Sequence, residues 1–151
     1  MTVVLNPLTI SLDEQGRKTS TYCLQIQFGD CDPAGIVFFP NFNKWMDAAS
    51  LHFFMSCGVP PWREFVKTTG IIGTPLLEIN TRFLNAATYG ETISIDTCVL
   101  DWGRKTVKQQ HTVKRGETVL CIGTEVRAFC VHDGEKLKAV AVPGEILSKC
   151  A

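Results

Sequence analysis

The alternation of apolar and polar residues predicts one strand early in the chain and a long helix after it. Over residues 19–28, Tyr22, Leu24 and Ile26 alternate with polar or small residues, which is the two-residue period of a half-buried strand. Over residues 41–57, apolar side chains recur every three to four positions, which predicts a helix. Several other positions of that helix are also apolar, so we expect it to be enclosed on most sides.

The expected ends of this helix carry their own signals. Pro40 and Asn41 stand at its start, with Asn41 predicted near the N-cap. Gly58 is a natural residue at its end, and Pro60 and Pro61 prevent its continuation. A short polar helix is predicted directly afterwards, over residues 62–69.

The chain beyond Gly70 has the pattern of strands. They are expected near residues 76–85, 91–101, 104–115, 118–131 and 136–142, followed by a last helical turn over 144–150. Their short, glycine-containing separators indicate hairpins and therefore a mostly antiparallel sheet. One apolar helix followed by a meandering sheet predicts an α+β domain in which the sheet wraps around the helix.

Composition narrows the class of protein. The chain has 151 residues, 45% of them hydrophobic and 20% charged, which is a globular mixture, and its formal net charge is zero. No overall basic field indicates nucleic acid as a partner. The start of the chain lacks the pattern of a secretory signal, and no run is long enough to cross a bilayer, so we expect a cytoplasmic protein without a membrane partner. Residues 1–19 are expected to be an extension or an added strand, and 20–151 a single domain.

The cysteine and histidine patterns predict no metal site. There are seven cysteines, and no two are spaced as C-x-x-C, so reduced and mostly buried thiols are expected. His52, His111 and His132 lie far from any pair of ligands at short spacing. We interpret these three histidines as structural or solvated rather than catalytic.

The segment GDCDPAGIVFFPN, residues 29–41, carries the strongest signal for chemistry. It places Asp30 and Asp32 in a tight turn, before four apolar residues and a helix start. Aspartate and glycine are common in turns for backbone reasons alone. The apolar run, however, partly desolvates a neighbouring carboxylate, and a helix N-terminus offers unpaired N–H groups to a developing oxyanion. A carboxylate with backbone donors is sufficient for acyl transfer, and no G-x-S-x-G motif favours a serine mechanism.

This segment, with WMDAAS at 45–50 and CGVPPW at 57–62, closely resembles the 4-hydroxybenzoyl-CoA thioesterases of the Pseudomonas type. The resemblance continues through GIIGTP at 70–75 and FCVHDGEKLKAVAVP at 129–143. It implies a hot-dog fold, in which a curved antiparallel sheet wraps around one long central helix. It also implies self-association as a homodimer or homotetramer, with sites at subunit interfaces.

The resemblance implies a role for each of ten residues. Asp32 matches the catalytic carboxylate, which attacks the thioester carbonyl or activates water, and the backbone N–H of Phe39 matches the group that polarises that carbonyl. The residues that match the acyl pocket are Phe38, Asp47, Trp62 and Thr74. The residues expected to hold the phosphates of coenzyme A are Arg104, Lys105, Lys136 and Lys138. Coenzyme A is part of the substrate, so no cofactor is expected.

Two departures from the family bear on the acyl group. The family commonly has a third basic residue where this chain has Gly103, and Trp-Tyr where it has Phe38 and Phe39. Three functions therefore stay open: hydrolysis of an aromatic, hydroxybenzoyl-like acyl-CoA, hydrolysis of a short or medium aliphatic acyl-CoA or acyl carrier thioester, and non-catalytic binding of acyl-CoA. The presence of Asp32 disfavours the last function, because binding alone does not need a carboxylate at the thioester. Aromatic hydrolysis is the leading hypothesis.

Overall fold

Helix α1, Pro40–Ser56, lies at the centre of the fold, and the strands are arranged around it. The structure is a computed structural model, and it describes residues 6–151. The elements before α1 are β1 (Ser11–Leu12) and β2 (Lys18–Gln25). The elements after it are α2 (Trp62–Thr69), β3 (Ile71–Gly73), β4 (Leu76–Phe83), β5 (Thr92–Trp102), β6 (Thr106–Arg115), β7 (Thr118–Ala128), β8 (Cys130–Asp133), β9 (Lys136–Ala139) and α3 (Gly144–Cys150).

The strands form two antiparallel sheets. Within residues 6–151 the larger sheet has six strands in the order β1-β2-β5-β6-β7-β4, and the smaller has three in the order β3-β8-β9. The expected antiparallel meander is present in β5, β6 and β7, but β4 pairs with β7 at the edge of the sheet rather than with β5, its neighbour along the chain. Hairpin signals fix only strands joined by short turns, and an eight-residue connection separates β4 from β5.

The predicted strand over 118–131 is two strands. The break falls at Phe129, whose ring is fully buried and whose N–H donates to the backbone carbonyl of Lys105 at 3.0 Å. The chain then turns from the larger sheet into β8 of the smaller one. An apolar residue at the break continues the strand pattern in the sequence, which is why the pattern did not reveal it.

The start of α1 differs from the expected one. The helix begins at Pro40, which suits the first helical position because its missing N–H would have no helical acceptor. Phe39 is the N-cap residue, close to the expected Asn41, and within residues 6–151 no side chain caps this end. The Asn41 amide instead donates to the backbone carbonyl of Asp30 at 2.8 Å, so it ties the preceding turn to the helix.

The end of α1 follows the prediction closely. The helix ends at Ser56, and Gly58 has a φ of 95°, in the left-handed region that favours glycine. Its N–H donates to the carbonyl of Met55 at 3.0 Å. The short helix predicted over 62–69 is α2, with the same bounds.

Most of the circumference of α1 is buried within the chain. The buried side chains are Phe42, Met46, Ala49, Ser50, His52, Phe53 and Phe54. Gly123 on β7 lets the helix come close to the sheet, because a Cβ at that position would collide with the Met46 thioether. One stripe of the helix, which includes Lys44, Asp47 and Ala48, stays exposed.

The described part of the N-terminal extension forms a small hairpin. β1 pairs antiparallel with β2, and the Asp13 carboxylate closes the turn by accepting from the backbone N–H groups of Gln15 and Arg17. Residues 1–5 of the predicted extension lie outside the described residues. In the part of the chain that the structure describes, no helix combines the length and the apolar character needed to cross a bilayer.

Candidate active site

The two carboxylates of the 29–41 turn have different environments. One oxygen of Asp30 accepts from the Gln27 N–H at 2.8 Å and so caps a short 3₁₀ turn over Phe28–Asp30. The Asp30 backbone carbonyl accepts from the Phe38 N–H at 2.9 Å. These bonds use Asp30 to hold the turn in shape.

Asp32 is held by backbone bonds but keeps one carboxylate oxygen free. Its Oδ1 accepts from the Ala34 N–H at 2.9 Å, and its backbone N–H donates to Ile36 at 2.9 Å. Gly35 turns the chain with a φ of 82° and donates its N–H to the Asp32 carbonyl at 2.9 Å. Among residues 6–151, no protein group donates to Asp32 Oδ2, so a half-buried carboxylate presents one oxygen to an incoming molecule.

The Phe39 N–H is an unused donor at the start of α1. The N–H of Phe38 donates to Asp30, and that of Asn41 donates to the Phe38 carbonyl at 2.9 Å. Across the described residues, the Phe39 N–H has no protein acceptor, and Pro40 has no N–H at all. The N-terminus of this 17-residue helix carries a partial positive charge, and the Phe39 N–H is the free donor at that end.

An apolar pocket of about 290 Å³ adjoins this donor. It is lined by Ile36, Val37, Phe39, Phe42, Phe83, Leu84, Asn85, Ala86 and Ala87. The Phe39 ring meets the Phe83 ring edge to face, with centroids 6.0 Å apart. The Phe38 ring is half exposed and packs on Phe39 at 5.5 Å, outside the residues that line this pocket.

A second pocket, of about 350 Å³, brings together three residues that the sequence predicted for the acyl pocket. Asp47 from α1, Trp62 from α2 and Thr74 from the loop after β3 all line it, with Gly73 and Arg127. The Trp62 indole forms one wall, and Gly73 lies against it, since a Cβ there would be 3.5 Å from the ring. The pocket therefore combines a flat apolar wall with an acidic and a hydroxyl side chain.

The two pockets share no lining residue. Within one chain, the structure therefore separates the predicted residues into a group at the helix start, with Asp32 and Phe39, and a group at Asp47, Trp62 and Thr74. Among the described residues, Asp32 lines neither pocket. The predicted site is not a single pocket of one chain.

Residues 26–150 match the family model described as the thioesterase-like superfamily. The chain belongs to this superfamily. Its expected identity as a thioester hydrolase is confirmed at the level of the family.

One relative is the 4-hydroxybenzoyl-CoA thioesterase of Pseudomonas sp. strain CBS-3. It is 45% identical over 132 residues, which is 84% of this chain and 94% of the relative. The solved structure of that enzyme matches with a TM-score of 0.84 and 42% identity, over 89% of this chain and 99% of the other. The structure of a gentisyl-coenzyme A thioesterase matches with a TM-score of 0.76 and 29% identity, over 85% of this chain and 99% of the other. The expected α+β hot-dog fold is thereby confirmed.

Another solved structure is a mutant 4-hydroxybenzoyl CoA thioesterase complexed with 4-hydroxybenzoyl CoA. It matches this superfamily member with a TM-score of 0.84 and 40% identity, over 88% of this chain and 99% of the other. In that complex, a protein with a very similar fold binds an aromatic acyl-CoA.

The sequence did not predict the buried polar side chains beneath the second pocket. Thr97, Gln109, His111, Glu125 and Arg127 lie on the inward faces of β5, β6 and β7, and each is at most 4% exposed. The spacing of Glu125 and Arg127 could have indicated them. They are two residues apart, so they lie on the same face of β7 as the buried Gly123. The predicted site included none of these five residues.

Four of these side chains, those of Thr97, His111, Glu125 and Arg127, form one connected chain of contacts with Asp47. Arg127 Nη1 is 3.0 Å from Asp47 Oδ1, and its Nη2 donates to Glu125 Oε2 at 2.9 Å. The other Glu125 oxygen contacts His111 Nε2, and His111 Nδ1 is 2.7 Å from the Thr97 hydroxyl. The exposed pocket and the deepest part of the sheet are therefore linked by hydrogen bonds. The prediction that His111 is structural agrees with its complete burial.

The pKa of Glu125 lies below its ordinary value despite burial. Burial alone would raise it, but the bond and charge from His111 and the charge and bond from Arg127 lower it by more. Glu125 is therefore a buried carboxylate that stays ionised at neutral pH. Its pairing with Arg127 satisfies a charge that would otherwise be very costly to bury.

The four predicted phosphate-binding residues are exposed cations in two pairs. Arg104 and Lys105 lie in the turn between β5 and β6, and Lys136 and Lys138 lie on one face of β9. In the described range 6–151, none of the four forms a salt bridge. The segment after β9 is tied to the turn, since the Val142 N–H donates to the Arg104 carbonyl at 2.9 Å.

Gly103 closes the turn that carries the first pair of cations. Its N–H donates to the Thr106 carbonyl at 2.9 Å. A Cβ at Gly103 would collide with the Thr106 hydroxyl. The turn is therefore built without the side chain that the family commonly has at this position.

We predict that Glu125→Gln lowers stability and reduces its dependence on acid pH. The folded pKa of Glu125 is depressed, so its contribution is complete above about pH 4.3, the unfolded value, and is lost as pH falls towards the folded value. At neutral pH the substitution should cost about 1–3 kcal/mol, because it removes a charged partner from a buried network. Urea unfolding of both proteins between about pH 7 and about pH 3 measures this. Equal loss of stability by both proteins on acidification would contradict it.

Proposed function

We propose that this chain hydrolyses an aromatic, hydroxybenzoyl-like acyl-CoA to the free acid and coenzyme A. The observation that carries the proposal is the 29–41 turn, which presents a carboxylate with one free oxygen and a helix N–H without an acceptor. The 45% identical relative, named a 4-hydroxybenzoyl-CoA thioesterase, supports the substrate class.

Asp32 is the proposed catalytic carboxylate. As a nucleophile, its free oxygen attacks the thioester carbon, the C–S bond breaks, coenzyme A leaves as a thiolate that takes up a proton, and water then hydrolyses the mixed anhydride. As a general base, Asp32 takes a proton from the water that attacks the same carbon. In either route the Phe39 N–H donates to the carbonyl oxygen as negative charge develops there. Both routes use the same two groups.

The second pocket is the proposed acyl site. The Trp62 wall gives an aromatic ring a flat apolar surface, and stacked or edge-on aromatic pairs gain about 0.5–1.5 kcal/mol beyond burial. Asp47 accepts a hydrogen bond from a ring hydroxyl, and the Thr74 hydroxyl is a further polar partner. The exposed Phe38 ring is proposed as part of the entrance to the acyl site.

The exposed cations are the proposed site for the phosphates of coenzyme A. Arg104 offers a planar guanidinium that can bind phosphate oxygens in pairs, and Lys105 adds a second charge in the same turn. Lys136 and Lys138 extend the positive surface along β9. The absence of a carboxylate partner for these cations among the described residues supports their availability to an anion.

We further propose that the protein works as a homodimer or homotetramer. The strand β4 is at the edge of the six-stranded sheet, and its exposed side chains include Leu76, Leu77, Ile79 and Phe83. An apolar, unpaired strand edge favours pairing with another chain. A second copy would also supply the group of site residues that one chain keeps separate.

Asp32→Asn should reduce kcat by at least about a hundredfold while keeping the fold and substrate binding, because the variant lacks the anionic oxygen. Asp30→Asn is the matched control in the same turn. It can still accept from the Gln27 N–H, so its kcat should stay within a few-fold of the wild type. The measurement is thiol release under saturating substrate, with circular dichroism for the fold. A similar loss in both variants would mean that the turn matters only structurally.

An acyl-CoA panel tests the substrate class. Hydroxylated benzoyl-CoAs should exceed benzoyl-CoA in kcat/KM, because unsatisfied polar groups penalise a ring without a hydroxyl. Asp47→Ala should reduce that difference. Faster turnover of hexanoyl-CoA or acetyl-CoA than of every aryl-CoA would favour the aliphatic function, and tight binding without any turnover would favour the non-catalytic one.

Sedimentation should show an oligomer that requires the β4 edge. Leu77→Glu puts a charge on this edge, so it should weaken association and lower activity together. Leu12→Glu, a similarly exposed position in the N-terminal hairpin, is the control and should change neither. A stable and fully active wild-type monomer would refute both the assembly and the shared site.

A further inference from the structure

Arg127 is a buried cation in the wall of the proposed acyl site. Its residue is 4% exposed, yet it lines the same pocket as Asp47 and Thr74. Nη1 is 3.0 Å from Asp47 Oδ1 and donates to the Thr74 carbonyl at 3.1 Å. One guanidinium nitrogen therefore contacts both residues that are proposed to meet a ring hydroxyl.

The guanidinium is fixed from behind by a second carboxylate. Nη2 donates to Glu125 at 2.9 Å, Glu125 contacts His111, and His111 contacts Thr97. The side chains of Glu125 and His111 are at most 1% exposed, so water does not compete for these bonds. Because Glu125 stays ionised, with its pKa lowered by His111 and Arg127 against the effect of burial, Arg127 cannot turn away without leaving a buried charge unpaired.

Asp47 has no comparable support of its own. Its side chain is 73% exposed, on the open stripe of α1, and an exposed aspartate populates several rotamers. The ion pair with a fixed guanidinium, in which Nη1 is 3.0 Å from Oδ1, favours one of these rotamers and leaves Oδ2 as an acceptor. The carboxylates of Asp47 and Glu125 share one arginine, so the site keeps an excess of negative charge. Asp47 Oδ2 therefore accepts from a neutral donor and repels an anion.

We propose that Arg127 is a positioning residue that determines specificity, since it orients Asp47 to recognise a neutral hydroxyl on the acyl ring. The inference rests on the proposed function, because it names what makes that site prefer a hydroxylated ring. The acyl substituent selected is a neutral hydrogen-bond donor, and a carboxylate at the same ring position is rejected.

A purely structural role of Arg127 makes a different prediction. If the ion pairs only stabilise the fold, their loss affects every substrate alike. If Arg127 acts through Asp47, its loss affects a hydroxylated ring and leaves an unsubstituted ring nearly unchanged. The ratio of kcat/KM for 4-hydroxybenzoyl-CoA to that for benzoyl-CoA separates the two roles.

The test is Arg127→Lys, with Arg115→Lys as the matched control. Lysine keeps the charge but cannot bond Asp47, Thr74 and Glu125 at once, since it lacks the planar fork of donors. Arg115 pairs with Glu91 at 2.9 Å and donates to the Ala86 carbonyl at 3.1 Å, away from the acyl pocket. We expect the ratio to fall at least about tenfold in Arg127→Lys, with benzoyl-CoA changed by less than about threefold. The control should keep the wild-type ratio.

A double-variant comparison identifies the route of the effect. In an Asp47→Ala background, Arg127→Lys should produce no further fall in the ratio, because the group that it positions is gone. A further fall of about tenfold would mean that Arg127 meets the ring directly, and it would overturn the positioning role. 4-Carboxybenzoyl-CoA should be a poorer substrate than benzoyl-CoA in the wild type, and a better one would also overturn the proposal.

The outcomes distinguish this inference from the proposed function. Wild-type protein that hydrolyses no aryl-CoA would refute the proposed function and the inference with it. Wild-type protein that prefers the hydroxylated ring, with an unchanged ratio in Arg127→Lys, would refute the inference alone. If Arg127→Lys does not fold, Glu125→Gln decides, because it loosens Arg127 without removing it. Its ratio should fall at least about threefold, and an unchanged ratio would refute the inference.

Discussion

The close packing of α1 against the sheet is the constraint on which the rest of the molecule depends. Gly123 removes the side chain that would hold the helix away from β7, so Met46 lies directly over the strand. The same placement sets the free N–H of Phe39 at one end of the helix and brings Asp47, further along it, within reach of Arg127 on β7. One helix thus positions both the proposed oxyanion donor and the proposed acyl-pocket acid.

The helices could be predicted well because their signals are local. The apolar period, Pro40 and Gly58 bounded α1 to within one residue of its observed ends, and the bounds of α2 were predicted correctly. The pairing of β4 with β7 could not be predicted, since it depends on which strand edges remain free after α1 and α2 are placed. Residue patterns specify neighbours along the chain but not partners across the sheet.

The candidate site could be proposed from the sequence where catalytic residue types and turn geometry coincide in a short segment. The choice of Asp32 over Asp30 came from a resemblance, and the structure adds the physical distinction that Asp30 is used to cap a turn. Arg127 was beyond reach, because its significance arises from contacts with Asp47 on the helix and Thr74 in a loop, both distant in sequence. Burial fixes the conformation of the Arg127 side chain in the wall of the pocket, and burial is a property of the folded chain.

The Gly103 turn has a consequence for attempts to redesign the proposed site for the phosphates of coenzyme A. Restoring a third basic side chain by a single codon change at Gly103 would place its Cβ against the Thr106 hydroxyl, so the turn that orients Arg104 and Lys105 would be distorted by the same change. Positions 103 and 106 are therefore coupled, because a side chain at the first requires the Thr106 hydroxyl to shift. In sequence libraries, such coupling makes the effect of a replacement at 103 depend on the residue at 106.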